Sequence, residues 1–251
     1  MDIQKAALWK RFAAGLLDFI LLITLAVGAA WGVSSLLDFD AYNQKVEEAY
    51  DRYEAEYGVD FAIAQEDFLA MTEAERENFD AAYEALIADE EAMYAYNMMI
   101  HLLMVITTAG LLLAHAVLEF VVPLLIGNGQ TLGKKAFSLA LMRTDGVKIN
   151  PLQLFTRGIL GKFTLETMIP VYLALMTFFG MLGTLGSVLL MGIGILQVVL
   201  LAATRNNSLL HDLCAGTVVV DMSSQMIFRS TDDLVAYQKR VAAERAARSD
   251  Y

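Results

Sequence analysis

Long apolar runs separated by polar stretches dominate the pattern of this chain. Residues 12–36 and 98–126 are each long enough to cross a bilayer, which takes about 20 apolar residues in a helix. A third run, residues 159–204, is too long for one span, and the stretch Gly180-Met-Leu-Gly183-Thr-Leu-Gly186 divides it near its middle. Because a backbone in lipid must satisfy its own hydrogen bonds, the pattern predicts four transmembrane helices.

The composition agrees with a membrane protein and argues against other classes. Hydrophobic residues make up 57% of the 251 residues, above the roughly 45–50% of a soluble domain. The net charge of −11 argues against nucleic acid as a partner, since phosphate binding requires a positive surface. The single cysteine, Cys214, allows no intrachain disulfide, and no cysteine–histidine cluster has zinc-ligand spacing. We therefore expect no cofactor and no metal.

Charges are segregated along the chain, and their distribution predicts its orientation. Residues 38–97 hold 18 of the 29 acidic residues but only three of the 18 basic residues. The other bases precede the first span, lie in the loop after the second span, or follow residue 203. Because lysine and arginine in short loops stay on the cytosolic side, both termini are expected in the cytosol.

These features give an all-α membrane protein: a four-transmembrane-helix bundle with an extracytosolic helical hairpin and a small cytosolic β-hairpin. The predicted segments are 1–37 (N-terminal flank and first transmembrane helix), 38–97 (acidic hairpin), 98–126 (second transmembrane helix), 127–158 (basic loop with the β-hairpin), 159–204 (third and fourth transmembrane helices) and 205–251 (C-terminal segment).

The acidic segment is expected to be helical. Apolar and aromatic residues recur in it at helical spacing, Gly58 suits a helix C-cap, and Thr72 with Glu75 forms a capping box. Two amphipathic helices outside the membrane follow from this pattern. A solvated acidic spacer is the alternative.

The basic loop contains a β-hairpin pattern. Residues 137–143 read as a strand, Asp145-Gly146 as a turn and 147–149 as the return strand. Asn150 and Pro151 then suit the N-cap and first position of a helix. Residues 217–221 could add another strand, and residues 232–248 have the composition of a charged helical tail.

Ionisable residues inside the spans are the main functional candidates. Each costs about 2.5–3.5 kcal/mol to insert, so it usually faces the bundle interior and has a partner. Asp18, Glu119 and Glu166 fall at similar depths. His115 lies four residues before Glu119 on the same helix face and could hydrogen-bond it. These four residues form a candidate ion or proton pathway. Structural ion pairs that hold the helices in register are the alternative.

Basic residues at the cytosolic ends of the spans are candidate partners for these carboxylates or for lipid phosphates. Arg157 and Lys162 belong to the start of the third span, and Lys134 and Lys135 follow a glycine-containing turn. No serine or cysteine nucleophile is placed to use a histidine base, so we expect no catalytic residue and no enzyme.

Three separated segments resemble the RDD family of membrane proteins. They are Lys10-Arg11-Phe12-Ala13-Ala14-Gly15-Leu16-Leu17-Asp18, Gly129-Gln-Thr-Leu-Gly-Lys-Lys135, and His211-Asp212-Leu213-Cys214-Ala215-Gly216-Thr217-Val218-Val219-Val220. The arginine and two aspartates of the family name fall on Arg11, Asp18 and Asp212. The resemblance covers about residues 8–36 and 98–221 and leaves the acidic hairpin as an insertion.

The resemblance implies a protein of the bacterial inner (plasma) membrane with a transport role, and cation/proton antiport is suggested for some relatives. We therefore expect monovalent cations to be moved against protons. Four helices are few for an alternating-access carrier, so a homo-oligomer in the lipid bilayer is expected. A non-transport scaffold or regulatory protein, which binds partners through its acidic and cytosolic hairpins, is the alternative.

The orientation can be tested with a reporter enzyme that is active only outside the cytosol. A fusion at residue 65 should be active, because it lies in the acidic segment, which is poor in bases; fusions at residues 145 and 235 should be inactive, because bases surround them. Enzyme activity normalised to the amount of fusion protein is the measurement. Activity at residue 145 would contradict the four-span orientation.

Overall fold

The computed structural model describes residues 3–249, and the chain is mostly helical. In chain order the elements are α1 (Leu8–Leu36), α2 (Phe39–Tyr57), α3 (Gln65–Ala70), α4 (Glu73–Ala88), α5 (Glu90–Ile126), α6 (Leu132–Ala136), β1 (Leu139–Arg143), α7 (Pro151–Phe178), α8 (Thr184–Ala203), α9 (Leu210–Ala215), β2 (Thr217–Asp221) and α10 (Thr231–Ser249). Residues 1, 2, 250 and 251, which the predicted terminal segments include, lie outside the described residues.

The prediction of four apolar helices long enough to span a bilayer is confirmed by α1, α5, α7 and α8. Helix α5 begins eight residues before the expected start at residue 98. Helix α7 begins at Pro151, where the Asn150 side chain accepts a hydrogen bond from the backbone N–H of Gln153 at 2.8 Å. From this start the helix runs through Arg157 and on into the third span without a break.

Two of the spans contain π-helical segments, in which hydrogen bonds run from residue i to i+5. In α5 the segment is Ala116–Val121, and in α7 it is Thr156–Met168. The wider turn changes which side chains share a helix face. Both segments carry ionisable residues, so the altered winding bears directly on the arrangement of charges.

A small antiparallel sheet lies beside the ends of the spans. Strands β1 and β2 pair over five positions, from Leu139 opposite Asp221 to Arg143 opposite Thr217. Isolated bridges extend the sheet on both sides, from Lys5 to Val220 and from Met142 to Lys148. Residues 147–149, expected as the return strand, thus contribute a bridge, and the distal strand is the full partner of β1.

Both faces of this sheet are buried, which explains why β1 and β2 are continuous apolar runs. Leu139 and Leu141 face a core that contains Ala6, Ala14 and Val219. The alternate positions of both strands form a second core on the other face. Its buried residues are Ala140, Met142, Val218 and Val220. Side chains of successive strand residues point to opposite faces, so a sheet covered on both sides requires apolar residues throughout.

Residues Ala30–Gly110 form one compact unit, and residues Met1–Ala29 with Leu111–Tyr251 form another. The first unit contains α2, α3 and α4, and its core is built around Ala49, Leu86 and Ala92. Thr72 and Glu75 make the capping box at the start of α4, and Gly58 ends α2 with a φ of 65°. Helix α3 has no counterpart among the expected elements.

Because the acidic helices have their own core, their removal should leave the rest of the chain folded. We expect a variant in which a short flexible linker replaces residues 42–92 to insert into the membrane and to elute as a single species in detergent. Val219→Asp is the control, since it places a carboxylate in the buried sheet core. Aggregation of the deletion variant to the same extent as Val219→Asp would contradict this independence.

Candidate functional site

Nine ionisable residues from α1, α5, α6, α7 and α9 form two neighbouring ion-paired groups, which together we call the charge cluster. Its members are Arg11, Asp18, Glu119, Lys134, Arg157, Lys162, Glu166, His211 and Asp212. Four are acids, four are bases, and one is a histidine. With the histidine neutral, the formal charge of the cluster is zero.

Arg157 is the centre of the charge cluster and is only 3% exposed. Its Nε donates to Asp212 Oδ1 at 3.0 Å, and its second guanidinium nitrogen lies 2.8 Å from His211 Nε2. Its third nitrogen is 3.8 Å from Glu119 Oε2. One guanidinium therefore links the second span, its own span and the α9 segment, since the planar donors of arginine can face several acceptors at once.

Asp212 joins α9 to the first span and to the sheet. Its Oδ1 also accepts from the Thr217 hydroxyl at 3.1 Å, and its Oδ2 lies 3.6 Å from the Arg11 guanidinium. Arg11 in turn donates to the backbone carbonyl of Asn207 at 2.7 Å. The conformation of the segment between α8 and β2 is therefore tied to α1 by charge.

His211 is held between a carboxylate and a guanidinium, and this fixes its protonation. Glu166 accepts from the His211 backbone N–H at 2.9 Å, and its other oxygen lies 2.6 Å from His211 Nδ1. Nε2 faces a guanidinium N–H, which can only donate. The pattern assigns the proton to Nδ1 and makes Nε2 an acceptor, so the ring is neutral.

Glu119 is 5% exposed in the π-helical segment of α5. Lys162 donates to its Oε1. Its Oε2 is buried without a hydrogen-bond partner among the described residues. The nearest Arg157 nitrogen lies 3.8 Å from it. The carboxylate therefore has one oxygen paired and one oxygen free to accept.

Asp18 belongs to a separate part of the cluster, at the start of α6. Its two oxygens accept from the Thr131 hydroxyl at 2.5 Å and from the backbone N–H of Gly133 at 2.7 Å. Lys134 Nζ lies 3.7 Å from Asp18 Oδ2 and 3.1 Å from the Thr131 hydroxyl oxygen. Asp18 thus fixes the loop between α5 and β1 against the first span.

The π-helical winding of α7 brings its three ionisable residues to one side. Arg157 and Glu166 are nine residues apart, about two and a half turns of an α-helix, so they would face opposite directions there. Where hydrogen bonds span five residues, positions four or five apart share a face. Arg157, Lys162 and Glu166 follow this spacing, and all three reach the cluster.

Glycines allow the backbones around the cluster to approach closely. A Cβ at Gly158 would lie 2.9 Å from the Glu119 carbonyl oxygen, and one at Gly161 would lie 2.6 Å from His211 Cβ. A Cβ at Gly133 would meet the Ala14 carbonyl and would lie 2.8 Å from Asp18 Oδ1. The three glycines let α5, α6 and α9 pack directly against neighbouring helices.

Burial and neighbouring charges shift the titration of the cluster residues outside the spans. Burial, together with the Arg157 charge, lowers the pKa of His211. Burial alone would raise the pKa of Asp212, but the charges of Arg157 and Arg11 outweigh it and hold that pKa well below its usual range. Burial also lowers the pKa of Lys134 to about 8. These directions agree with a neutral histidine and an ionised aspartate.

Two cavities adjoin the cluster. The sheet-side cavity, about 500 Å³, has Arg11, Lys134, Arg157 and His211 in its charged wall and has an apolar wall from α1 and the sheet. The span cavity, about 490 Å³, lies among α1, α5 and α7 and includes Glu119, Glu166 and His115 in its wall. The two cavities share Gly15, Asp18 and Lys162, so only a thin layer of side chains separates them.

The structure gives different surroundings to some residues singled out from the sequence. His115 Nδ1 donates to the Leu111 carbonyl at 2.9 Å, and its Nε2 lies 3.3 Å from the Thr167 hydroxyl, so both ring nitrogens are used without Glu119. Lys135 is exposed and lies outside the charge cluster.

His211, Thr131 and Gly133 were not among the residues singled out for the site. All three lie within segments that carry the family resemblance, and that position was the available signal.

The apolar spans and the buried charges between them define a multi-pass membrane protein with a polar interior. The sequence model of the RDD family matches residues 5–216, which is most of the chain, so this protein belongs to the RDD family. Comparison with curated proteins and with solved structures returned no match. The acidic helices lie inside the matched range.

The packing at Gly133 can be tested by a single methyl group. We expect Gly133→Ala to lower the free energy of unfolding by about 1–3 kcal/mol, as overpacking typically does, because the new Cβ meets Ala14 and Asp18. Gly28→Ala is the matched control, since a Cβ there has nothing within 4 Å. Thermal unfolding in detergent measures both. Equal midpoints for the two variants would show that the approach of α6 to α1 is not tight.

Proposed function

We propose that this protein exchanges monovalent cations for protons across the plasma membrane, with Glu119 as the carboxylate that receives the cation. The observation that carries the proposal is Glu119 Oε2, a buried carboxylate oxygen within a span that has no donor in the described chain and adjoins the span cavity. A carboxylate oxygen is a suitable ligand for a small hard cation. A carboxylate inside a span is costly, so its presence there supports a functional role.

The two cavities support a route past the cluster. The span cavity reaches Glu119 from the side of the apolar spans, and the sheet-side cavity reaches Arg157 and His211 from the other side. Asp18 and Lys162 stand in the walls of both. Passage of an ion from one cavity to the other would require these side chains to move. They would then act as the gate that an exchanger needs.

Orientation and assembly are part of the proposal. The basic residues near the sheet favour a cytosolic position for that end of the spans and for both termini. Only 6% of the most apolar 18-residue stretch of α8 is buried inside the chain. In a homo-oligomer a second copy would cover part of this surface. We propose no catalytic reaction.

A scaffold role remains the second candidate, and one observation favours it. Residues Ala30–Gly110 form a compact unit with its own core, and the acidic residues of α2 and α4 are mostly exposed. A basic partner protein could bind this surface without any transport. The flux experiment below separates the two candidates.

The test is cation flux in proteoliposomes that contain the purified protein. With a proton gradient imposed, wild-type protein should accumulate Na⁺, K⁺ or Li⁺, and Glu119→Gln should reduce the initial rate at least tenfold because the amide removes the negative charge. Asp18→Asn should also reduce it. Glu91→Gln on the same helix is the control, since the Glu91 side chain is 84% exposed and lies far along the chain from the cluster.

Size-exclusion profiles of all variants would show that the folded protein is compared in each case. Wild-type rates in Glu119→Gln would contradict the role of Glu119. Absence of any cation flux in the wild type would reject transport and favour the scaffold.

A further inference from the structure

Two buried carboxylate oxygens of the charge cluster lack a hydrogen-bond donor among the described residues. They are Glu119 Oε2 and Asp212 Oδ2. Arg157 lies between the two carboxylates, bound to Asp212 through Oδ1 and 3.8 Å from Glu119 Oε2. Asp212 Oδ2 is 3.6 Å from His211 Nε2. Each open acceptor is therefore one short movement away from a group that could donate to it.

The His211 ring is the point at which a proton would change this arrangement. In the neutral ring, Nδ1–H donates to Glu166 and Nε2 accepts from the Arg157 guanidinium at 2.8 Å. A proton added to Nε2 turns that acceptor into a donor. Two N–H groups would then face each other with like charge, and this contact could not persist.

We propose that proton binding at His211 Nε2 moves the Arg157 guanidinium from Asp212 and His211 to Glu119, so that a proton at His211 and a cation at Glu119 exclude each other. The new N–H of His211 donates to Asp212 Oδ2, and the guanidinium donates to Glu119 Oε2. The two open oxygens are thus the two acceptors of the second state. His211 and Arg157 are positioning residues, because neither binds the cation.

Charge balance supports the exclusion. The four acids and four bases of the cluster cancel while His211 is neutral. A proton at His211 or a monovalent cation at Glu119 adds one positive charge, and both together would add two in a buried region, which is strongly unfavourable. One proton therefore replaces one cation. This step rests on the proposed function, whereas the movement of Arg157 is a property of the cluster alone.

Among the described residues, charged groups on three helices face His211. From α7 they are Glu166, Arg157 and Lys162, from its own helix Asp212, and from α1 Arg11, while Glu119 of α5 acts through Arg157. Burial and the Arg157 charge hold the pKa of His211 below its ordinary value. The ring is thus neutral at pH 8, and a fall in pH below about 6.5 is needed to charge it.

The movement can be measured without any transport assay. Full-length protein in lipid nanodiscs, with ¹⁵N-labelled histidine and arginine side chains, is titrated by NMR from pH 8 to pH 5. His101→Gln and His115→Gln variants assign the three histidines. At pH 8 we expect His211 as the Nδ1–H tautomer. On acidification its Nε2 signal and the Arg157 side-chain signals should change with one common midpoint.

Glu119→Gln removes the negative charge that receives Arg157. In that variant the midpoint of His211 should move to lower pH by about one unit, a tenfold weaker proton affinity, while Glu91→Gln leaves it unchanged. A His211 ring that stays neutral down to pH 5 overturns the proposal. So does a ring that titrates while the Arg157 signals stay constant.

A pH profile of exchange tests the coupling to the cation. Between pH 8 and pH 5.5 the wild-type rate should change roughly tenfold, and His211→Gln should change less than twofold, because its side chain does not titrate. A uniform loss of rate at every pH in His211→Gln would indicate a structural role and overturn the coupling. If wild-type protein moves no cation, the proposed function fails, and the NMR titration still decides whether Arg157 moves.

Discussion

Every part of the membrane bundle near the sheet depends on the burial of the Arg157 guanidinium. A cation that keeps its proton and is almost entirely buried must be surrounded by acceptors, and in this protein they come from Glu119, His211 and Asp212. These residues belong to α5 and α9, and Asp212 extends the contact to Arg11 on α1. The Arg157 charge thus joins α7 to α5 and α9 directly, and to α1 through Asp212. These ion pairs fix the relative positions of the helices more specifically than apolar contacts between helices in lipid could.

The π-helical segments are the geometric counterpart of this constraint. An α-helix with normal winding would direct Arg157 and Glu166 to opposite sides, and one of them would face lipid. The widened turns of α7 avoid that exposure, and glycines at 158 and 161 allow α5 and α9 to approach the widened region. Irregular winding is tolerated at this depth because neighbouring helices cover it.

The sequence predicted the spans well because about 20 apolar residues in lipid have few structural alternatives. It also identified most of the cluster members, since an ionisable residue in an apolar run stands out. It named Lys134, Arg157 and Lys162 only as a group of candidate partners and did not assign which base pairs with which acid. The pairing of His115 with Glu119 was expected from α-helical spacing, and instead the ring nitrogens contact Leu111 and Thr167.

Asp18 likewise accepts hydrogen bonds from the Thr131 hydroxyl and the Gly133 backbone N–H. Neither donor is charged, so the distribution of charges along the sequence did not point to them. The partner of β1 was ambiguous for a similar reason. A nearby turn favours pairing of β1 with the return segment. Pairing with the apolar residues 217–221 is preferred in the structure because both faces of the sheet are buried.

The contacts that join the two ends of the chain have a consequence for biogenesis. Lys10 pairs with Asp221 across 211 positions, and Arg11 binds the Asn207 carbonyl across 196 positions. Since a ribosome makes the chain from its N-terminus, α1 enters the bilayer long before these partners exist. Helix α1 therefore reaches its final contacts only after the later spans have been made. Until β2 has been made, Arg11 and Lys10 remain available to lipid headgroups or to the insertion machinery.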